Sequence, residues 1–210
     1  LKIPKIKICG LTTPQEAAWC LEENVNYTGM VVFFEKSKRN VTISRAKELL
    51  SVLHETGETE SVKAVAVTVS PTAAQVLSIQ EAGFDLIQVH GELSKEAFDA
   101  IEIPMIRAFN GCDRELYDRY HHCEKVAAYL FDAKVPGSGE TFDWSELKQI
   151  PRDEKLFFLA GGLQPDNIRE AIRQVQPDVV DVSSGVELAP DVVGKDREKI
   201  RAFVRNVRTL

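Results

Sequence analysis

Eight short runs of apolar and β-branched residues, each followed by a segment of helical character, constrain this chain more than any other feature of it. The strand-like runs cover residues 5–9, 27–34, 62–69, 85–89, 105–109, 127–131, 155–159 and 179–182. Thr13-Pro14, Ser70-Pro71 and Gln164-Pro165 open helical patterns over 15–23, 72–82 and 166–175, because a proline in the first turn gives up no hydrogen bond. Ser44 stands before another at 45–55, and weaker patterns cover 94–100, 113–123, 144–149 and 196–207. Parallel strands need helical crossovers, and eight such units without a linker or a break in composition predict an α/β fold, a single (β/α)8 TIM barrel over residues 1–210. An open sheet with fewer strands is the alternative, since the helix after Ser94 is short.

Composition narrows the class. Of 210 residues, 28% are charged and 44% hydrophobic, the balance of a soluble globular chain with ample core. The longest apolar runs, such as Met30-Val31-Val32-Phe33-Phe34, fall far short of the about 20 residues that cross a bilayer, so no membrane partner is expected. No charged-then-apolar leader follows Leu1. The four cysteines, Cys9, Cys20, Cys112 and Cys123, contain no Cys-x-x-Cys pair, which fits reduced thiols in the cytoplasm. Cys112, His121, His122 and Cys123 lack the close ligand pair of a structural zinc site, and a helix with its surface turn accounts for them; no metal is expected. A net charge of −6 with scattered basic residues argues against nucleic acid as a partner. An anionic ligand would have to be drawn by a local arrangement, because the overall field repels it.

In such a barrel the loops after the strands share one face, and the active site forms there. Cys9 ends the first strand beside the Gly10 turn, where a thiol is placed for chemistry, although free cysteine commonly packs as a small hydrophobe. Asp132 follows the sixth run at the mouth, where shelter raises a carboxyl pKa and suits a general acid; an aspartate capping its loop is the plain alternative. Those two strands stand three steps apart around the ring, so an acid and a base would face a ligand from different sides. Gly161-Gly162 after the seventh run and Ser183-Ser184-Gly185 after the eighth offer unshielded N–H groups where barrels often bind phosphate, though each alone also reads as a tight turn. Lys36-Ser37-Lys38-Arg39 is the only compact basic run, either a solvated loop or, through Arg39, a fork for a carboxylate. Gln88 and His90 alternate onto one side of their strand and suit the lining of a pocket, a structural histidine being the other reading. Residues 133–144, with glycines near the middle and aromatics at the end, read as a lid.

Taken in order, Lys7-Ile8-Cys9-Gly10-Leu11-Thr12, Lys36-Ser37-Lys38-Arg39, Gln88-Val89-His90-Gly91-Glu92 and Phe131-Asp132 carry a resemblance to a known family. It continues through Gly137-Ser138-Gly139, Thr141-Phe142-Asp143-Trp144, Gly161-Gly162-Leu163 and Asp181-Val182-Ser183-Ser184-Gly185-Val186-Glu187. Over nearly its whole length the chain resembles the phosphoribosylanthranilate isomerases of tryptophan biosynthesis. The resemblance implies a small phosphosugar substrate and an Amadori rearrangement without a cofactor. It also implies Cys9 as general base, Asp132 as general acid and Arg39 as partner of the anthranilate carboxylate. Phosphate would sit on N–H groups around Gly162 and Ser184, with Asp181 in a supporting role. Two rivals stand beside it: the sister isomerase of histidine biosynthesis, which uses two aspartates where this chain has Cys9, and a phosphosugar-binding barrel without catalysis.

Overall fold

Side chains that alternate along a strand point in turn to the two faces of a sheet, and here one of those faces is the inside of a barrel. The computed structural model describes residues 2–54, 62–110, 113–132, 144, 147, 150–189 and 192–210. Its strands are β1 (Lys5–Cys9), β2 (Tyr27–Val32), β3 (Asn40–Val41), β4 (Lys63–Val69), β5 (Leu86–His90), β6 (Met105–Asn110), β7 (Val126–Asp132), β8 (Leu156–Ala160), β9 (Val179–Val182), β10 (Glu187–Ala189) and β11 (Val192–Lys195). The helices are α1 (Pro14–Glu22), α2 (Ile43–His54), α3 (Ala73–Ala82), α4 (Lys95–Ala100), α5 (Arg114–Tyr120), α6 (Ile168–Val175) and α7 (Arg197–Arg208). Parallel pairing runs β1-β9-β8-β7-β6-β5-β4-β2, and a further pairing of β1 with β2 closes the ring. These are the eight strands expected from the sequence.

Two apolar layers follow from the alternation. Ile6 and Ile8 of β1 face outward into the larger core with Ala17 and Cys20 of α1 and Val204 of α7. The inner layer stacks Tyr27, Val65, Ile106, Leu130 and Phe158 about the barrel axis, with the Tyr27 and Phe158 rings edge to face at 5.3 Å. Helix starts are chemically marked. Thr13 and Glu16 form a reciprocal cap on α1, Thr72 and Gln75 another on α3, and Gly83 ends α3 with φ +94°. The fully buried Arg107 of β6 donates from Nη1 to the Val89 carbonyl at 2.6 Å and from Nη2 to that of Gly91, fastening the mouth end of β5 to its neighbour.

Several expectations are corrected. The second strand stops at Val32 rather than at residue 34, because Phe33 turns left-handed (φ +57°) and Phe34 N donates to Asn40 Oδ1 at 2.8 Å. Two-residue β3 then pairs with Val31 and Val32, beyond the reach of β1. Thr42, not Ser44, caps α2: its Oγ1 accepts from Arg45 N at 3.1 Å. The antiparallel pair β10 and β11, between β9 and α7, was not expected at all. Cys112, the lid residues 133–143 and four residues of the helix expected over 144–149 lie outside the described residues. Among the described residues no group of three or more His, Cys, Asp and Glu side chains is placed to hold a metal ion, and no helix is long and apolar enough to cross a membrane.

Truncating the inner layer tests this architecture. Phe158→Ala should destabilise the fold by about 3–5 kcal/mol in urea denaturation, the range for emptying a buried aromatic site. Leu77→Ala, at a side chain 49% exposed, should stay within about 0.5 kcal/mol of the parent. Equal losses at the two positions would contradict the packed interior.

Candidate active site

The mouth is built outward from the end of β1. Gly10 takes φ +81°, and Gly10 N and Leu11 N both donate to the Gly29 carbonyl, at 2.8 and 2.9 Å, which fixes the turn after Cys9. A side chain at Gly10 would strike the Arg39 stem, its Cβ lying 2.5 Å from Arg39 Cδ. Opposite Cys9 in the register lies Gly29 of β2. A Cβ there would come 2.8 Å from Cys9 Sγ and 3.3 Å from Lys7 Nζ, so the missing side chain is the space these two groups occupy.

A cavity of about 360 Å³ opens at this end of the barrel. Cys9 from β1, Gln88 and His90 from β5 and Asp132 from β7 line it, with Arg39 from the loop after β2. Gly161, Gly162, Asp181, Ser183 and Ser184 form the wall at the ends of β8 and β9, and Val31, Val67, Leu130 and Ala160 supply apolar surface. Gly185 is not among these residues. It borders an adjoining groove that also touches Arg39 and Ser184, and a Cβ on it would lie 2.0 Å from the Leu163 carbonyl. Glycine at 185 is what lets the loops after β8 and β9 touch.

A chain of polar groups crosses the barrel below the cavity. Lys7 Nζ donates to Asp181 Oδ2 at 2.8 Å and to Gln88 Oε1 at 2.9 Å, and all three side chains are buried. With its oxygen so engaged, Gln88 donates from Nε2 to His90 Nε2 at 2.7 Å. The neutral imidazole must therefore carry its proton on Nδ1. Burial, together with the charges of Lys7 and Arg107, pushes the His90 pKa down to about 4. Burial pushes the Cys9 thiol up, while Lys7 and Lys195 work against that rise and Asp181 adds to it. Asp181 borders the cavity, and its Oδ1 is buried without a hydrogen-bond partner among the described residues.

The far wall is pinned separately. Gly161 and Gly162 take φ +87° and +66°, with open space where a Gly162 side chain would be. Asn167 holds this loop, donating to the Gly162 carbonyl and accepting from Gln164 N, both at 2.9 Å. Ser183 Oγ donates to the Cys9 carbonyl at 2.9 Å, and Lys195 Nζ donates to Ser183 O at 3.1 Å. Arg39, Lys38 (2.9 Å) and Lys195 (3.5 Å) converge on buried Glu187. Burial alone would raise the Glu187 pKa, but its contacts with these three cations hold it below the ordinary carboxylate value. Three cations around one anion make this corner locally positive in a chain of net charge −6. Reading the sequence missed Lys7, Gly29, Asn167, Glu187 as an anchor, and Lys195. The signal for Lys7 was present, since it stands two residues from Cys9 on the same strand face.

A closed parallel barrel with a thiol, a carboxylate and a glycine-serine wall converging on one mouth is that of a TIM-barrel enzyme acting on a small anionic molecule. The comparisons are narrower. A family described as N-(5'phosphoribosyl)anthranilate (PRA) isomerase matches residues 6–206, and the chain belongs to this family. The N-(5'-phosphoribosyl)anthranilate isomerase of Streptococcus mutans is 39% identical over 206 residues, covering 97% of this chain and 98% of that protein. The crystal structure of phosphoribosyl anthranilate isomerase from Thermotoga maritima superposes with a TM-score of 0.82 at 32% identity, covering 99% of this chain and 100% of that one. A structure of the isomerase with reduced 1-(o-carboxyphenylamino)-1-deoxyribulose 5-phosphate has a TM-score of 0.77 at 29% identity, over 99% of this chain and 100% of that one.

His90 makes the site's acid sensitivity testable. Its pKa falls from an ordinary 6.5 to about 4 on folding, so between these values the unfolded chain binds more protons. The corresponding stability is complete above pH 6.5 and is lost as the pH drops toward 4, by on the order of 3 kcal/mol in all. Urea midpoints at about pH 7.5 and about pH 4.5 should separate more in the parent than in His90→Gln. Equal separations would mean that His90 is not buried as the neutral base.

Proposed function

We propose that this chain converts N-(5'-phosphoribosyl)anthranilate into 1-(o-carboxyphenylamino)-1-deoxyribulose 5-phosphate, an Amadori rearrangement of tryptophan biosynthesis, by general acid–base catalysis. One observation carries the proposal: Cys9 and Asp132 end strands on different sides of one cavity, with Gly161, Gly162, Ser183 and Ser184 forming the wall between them. Asp132 protonates the furanose ring oxygen as its bond to C1 breaks, leaving an open-chain iminium ion. The Cys9 thiolate then removes the proton from C2, and the electron pair passes into the iminium group to give an enolamine. Tautomerisation of the enolamine yields the C2 ketone. C2 is oxidised as C1 is reduced, so no electrons leave the substrate and the chemistry calls for no redox cofactor.

The binding roles follow from the same walls. The phosphate rests on backbone N–H groups around Gly162 and Ser184, beside the positive corner made by Arg39, Lys38 and Lys195. Arg39, held by Glu187 through Nε, presents the rest of its fork to the anthranilate carboxylate. Gln88, His90 and Asp181, which line the same cavity, border the sugar. A cavity of about 360 Å³ is of the size that small-molecule sites use. The reading takes residues 1–210 as one catalytic barrel domain. It places the chain in the cytoplasm, because Cys9 must stay reduced to act as a base and is a free thiol here.

Replacing the acid or the base separates chemistry from binding. Cys9→Ala and Asp132→Asn should each lower kcat by about 10²–10⁴ while KM moves only a few-fold in steady-state assays. Turnover close to the parent's in either variant removes that residue's role. Failure of the parent gene to restore growth without tryptophan to a strain lacking the isomerase would sink the assignment as a whole.

Arg39→Ala tests the carboxylate contact independently. A charge-assisted bond is worth about 1.5–3 kcal/mol, so KM should rise by roughly ten- to a hundredfold. An analogue without the ring carboxylate should bind parent and variant alike. If the analogue loses as much affinity as the substrate does, Arg39 contacts another group.

A further inference from the structure

Lys7 and Cys9 share the inward face of β1, one pleat apart, and both border the space left by Gly29. The ammonium group of Lys7 is fixed from two sides, by Asp181 on β9 and Gln88 on β5, at 2.8 and 2.9 Å. An ammonium has three N–H donors, two of them engaged here, and its charge lies beside the Cys9 sulfur: Nζ and Sγ stand 3.3 and 2.8 Å from one point, the Cβ that Gly29 lacks. Net stability alone does not call for a lysine in this place, since a buried ion pair can generally be exchanged for packed apolar side chains at little or no loss, and a role in strand register would not by itself set the ammonium beside the thiol.

We propose that Lys7 is the positioning residue of the base: anchored by Asp181 and Gln88, its ammonium holds the Cys9 sulfur in place and stabilises the thiolate, itself remaining protonated throughout turnover. The proposal rests on the reading of Cys9 as the base. Burial pulls the Lys7 pKa down, but Asp181 and the Cys9 sulfur outweigh it and keep the group above its ordinary value. The other charged groups around the sulfur are Asp181, Lys195 on β11, Arg39 and Asp132, with His90 neutral across the cavity. Among these, Lys7 opposes the effect of burial on the thiol most strongly, and Asp181 acts in the opposite sense.

That opposition of sign is the test. The rate of Cys9 alkylation by iodoacetamide, followed against pH in the ligand-free protein by peptide mass spectrometry, reports the thiolate fraction. Lys7→Met should move the midpoint up and slow Cys9 labelling about tenfold or more at pH values below it, because the thiolate fraction there falls about tenfold for every pH unit the midpoint climbs. Asp181→Asn should move the midpoint down. The double variant Lys7→Met with Asp181→Asn leaves no unpaired buried charge, guards against misfolding of the single variant, and should fall between the parent and Lys7→Met. In turnover, Lys7→Met should lower kcat more than it raises KM and should recover activity as the pH is raised. An unchanged midpoint in Lys7→Met and in the double variant, or midpoints that move the same way in Lys7→Met and Asp181→Asn, would overturn the proposal. An active Cys9→Ser variant would instead remove the reading of Cys9 as base, whatever the alkylation profiles show.

Discussion

Closure of the barrel through five-residue β1 is the constraint on which the rest depends. Its register sets Lys7 opposite Asp181 on one side and Tyr27 on the other, and Cys9 opposite Gly29. A slip by one residue would reverse every side chain of the strand. Ile6 and Ile8 would then enter the barrel, and Lys7 and Cys9 would be pressed into the apolar layer beneath the helices. The buried Lys7–Asp181 pair penalises that slip, because separating the partners leaves uncompensated charge at a cost of about 3–5 kcal/mol. One interaction thus sets the register of the closing strand and the electrostatics beneath the thiol.

Attraction for an anion is equally local. The chain as a whole is acidic, yet Lys38, Arg39 and Lys195 meet at one buried carboxylate, Glu187, beside the mouth. Glu187 gathers three long cationic side chains, one of them the buried Lys195, and carries only one negative charge against their three positive ones. What remains is a preorganised positive corner next to Ser183 and Ser184. Preorganisation of this kind lowers the ordering cost when a ligand binds.

The alternation of strands and helices was legible because it depends on local chemistry: β-branched runs, a proline in the first turn of α1 and small polar caps. Each of the eight expected strands is present, and so is the helix start at Thr13-Pro14; α3 is capped by Thr72, two residues after the Ser70 of the expected Ser70-Pro71 signal, and α6 begins at Ile168 rather than directly after Gln164-Pro165. The residues at strand ends, Cys9, His90 and Asp132, were legible for the same reason. Lys7 carried the same-face signal two residues from Cys9 but was passed over, because a polar residue alternating with isoleucines ordinarily marks a face in water, whereas a closed barrel has no such face on its inside. Lys195 and the anchoring role of Glu187 were hidden by the short β10–β11 pair, whose three- and four-residue strands carry no periodic signal of their own. Gly29 was equally silent, since the contacts that require glycine there come from Cys9 and Lys7, and Gly185 stood out for its N–H group rather than for the close approach of Leu163 that the structure shows.

Those contacts also join the two ends of the site. Gly185 brings the loop after β9 against Leu163 and Gln164 of the loop after β8, so the two halves of this wall are packed against each other. From that wall, Ser183 donates to the Cys9 carbonyl, and Lys195 holds Ser183 in turn. An anion seated at Gly162 and Ser184 is therefore connected, through one hydroxyl, to the backbone that carries the thiol. Binding energy from a part of the substrate that does not react is useful to catalysis only when it is converted into the geometry of the part that does. Here the conversion needs no large motion, because the wall proposed to receive the phosphate and the strand end that bears Cys9 already share a hydrogen bond.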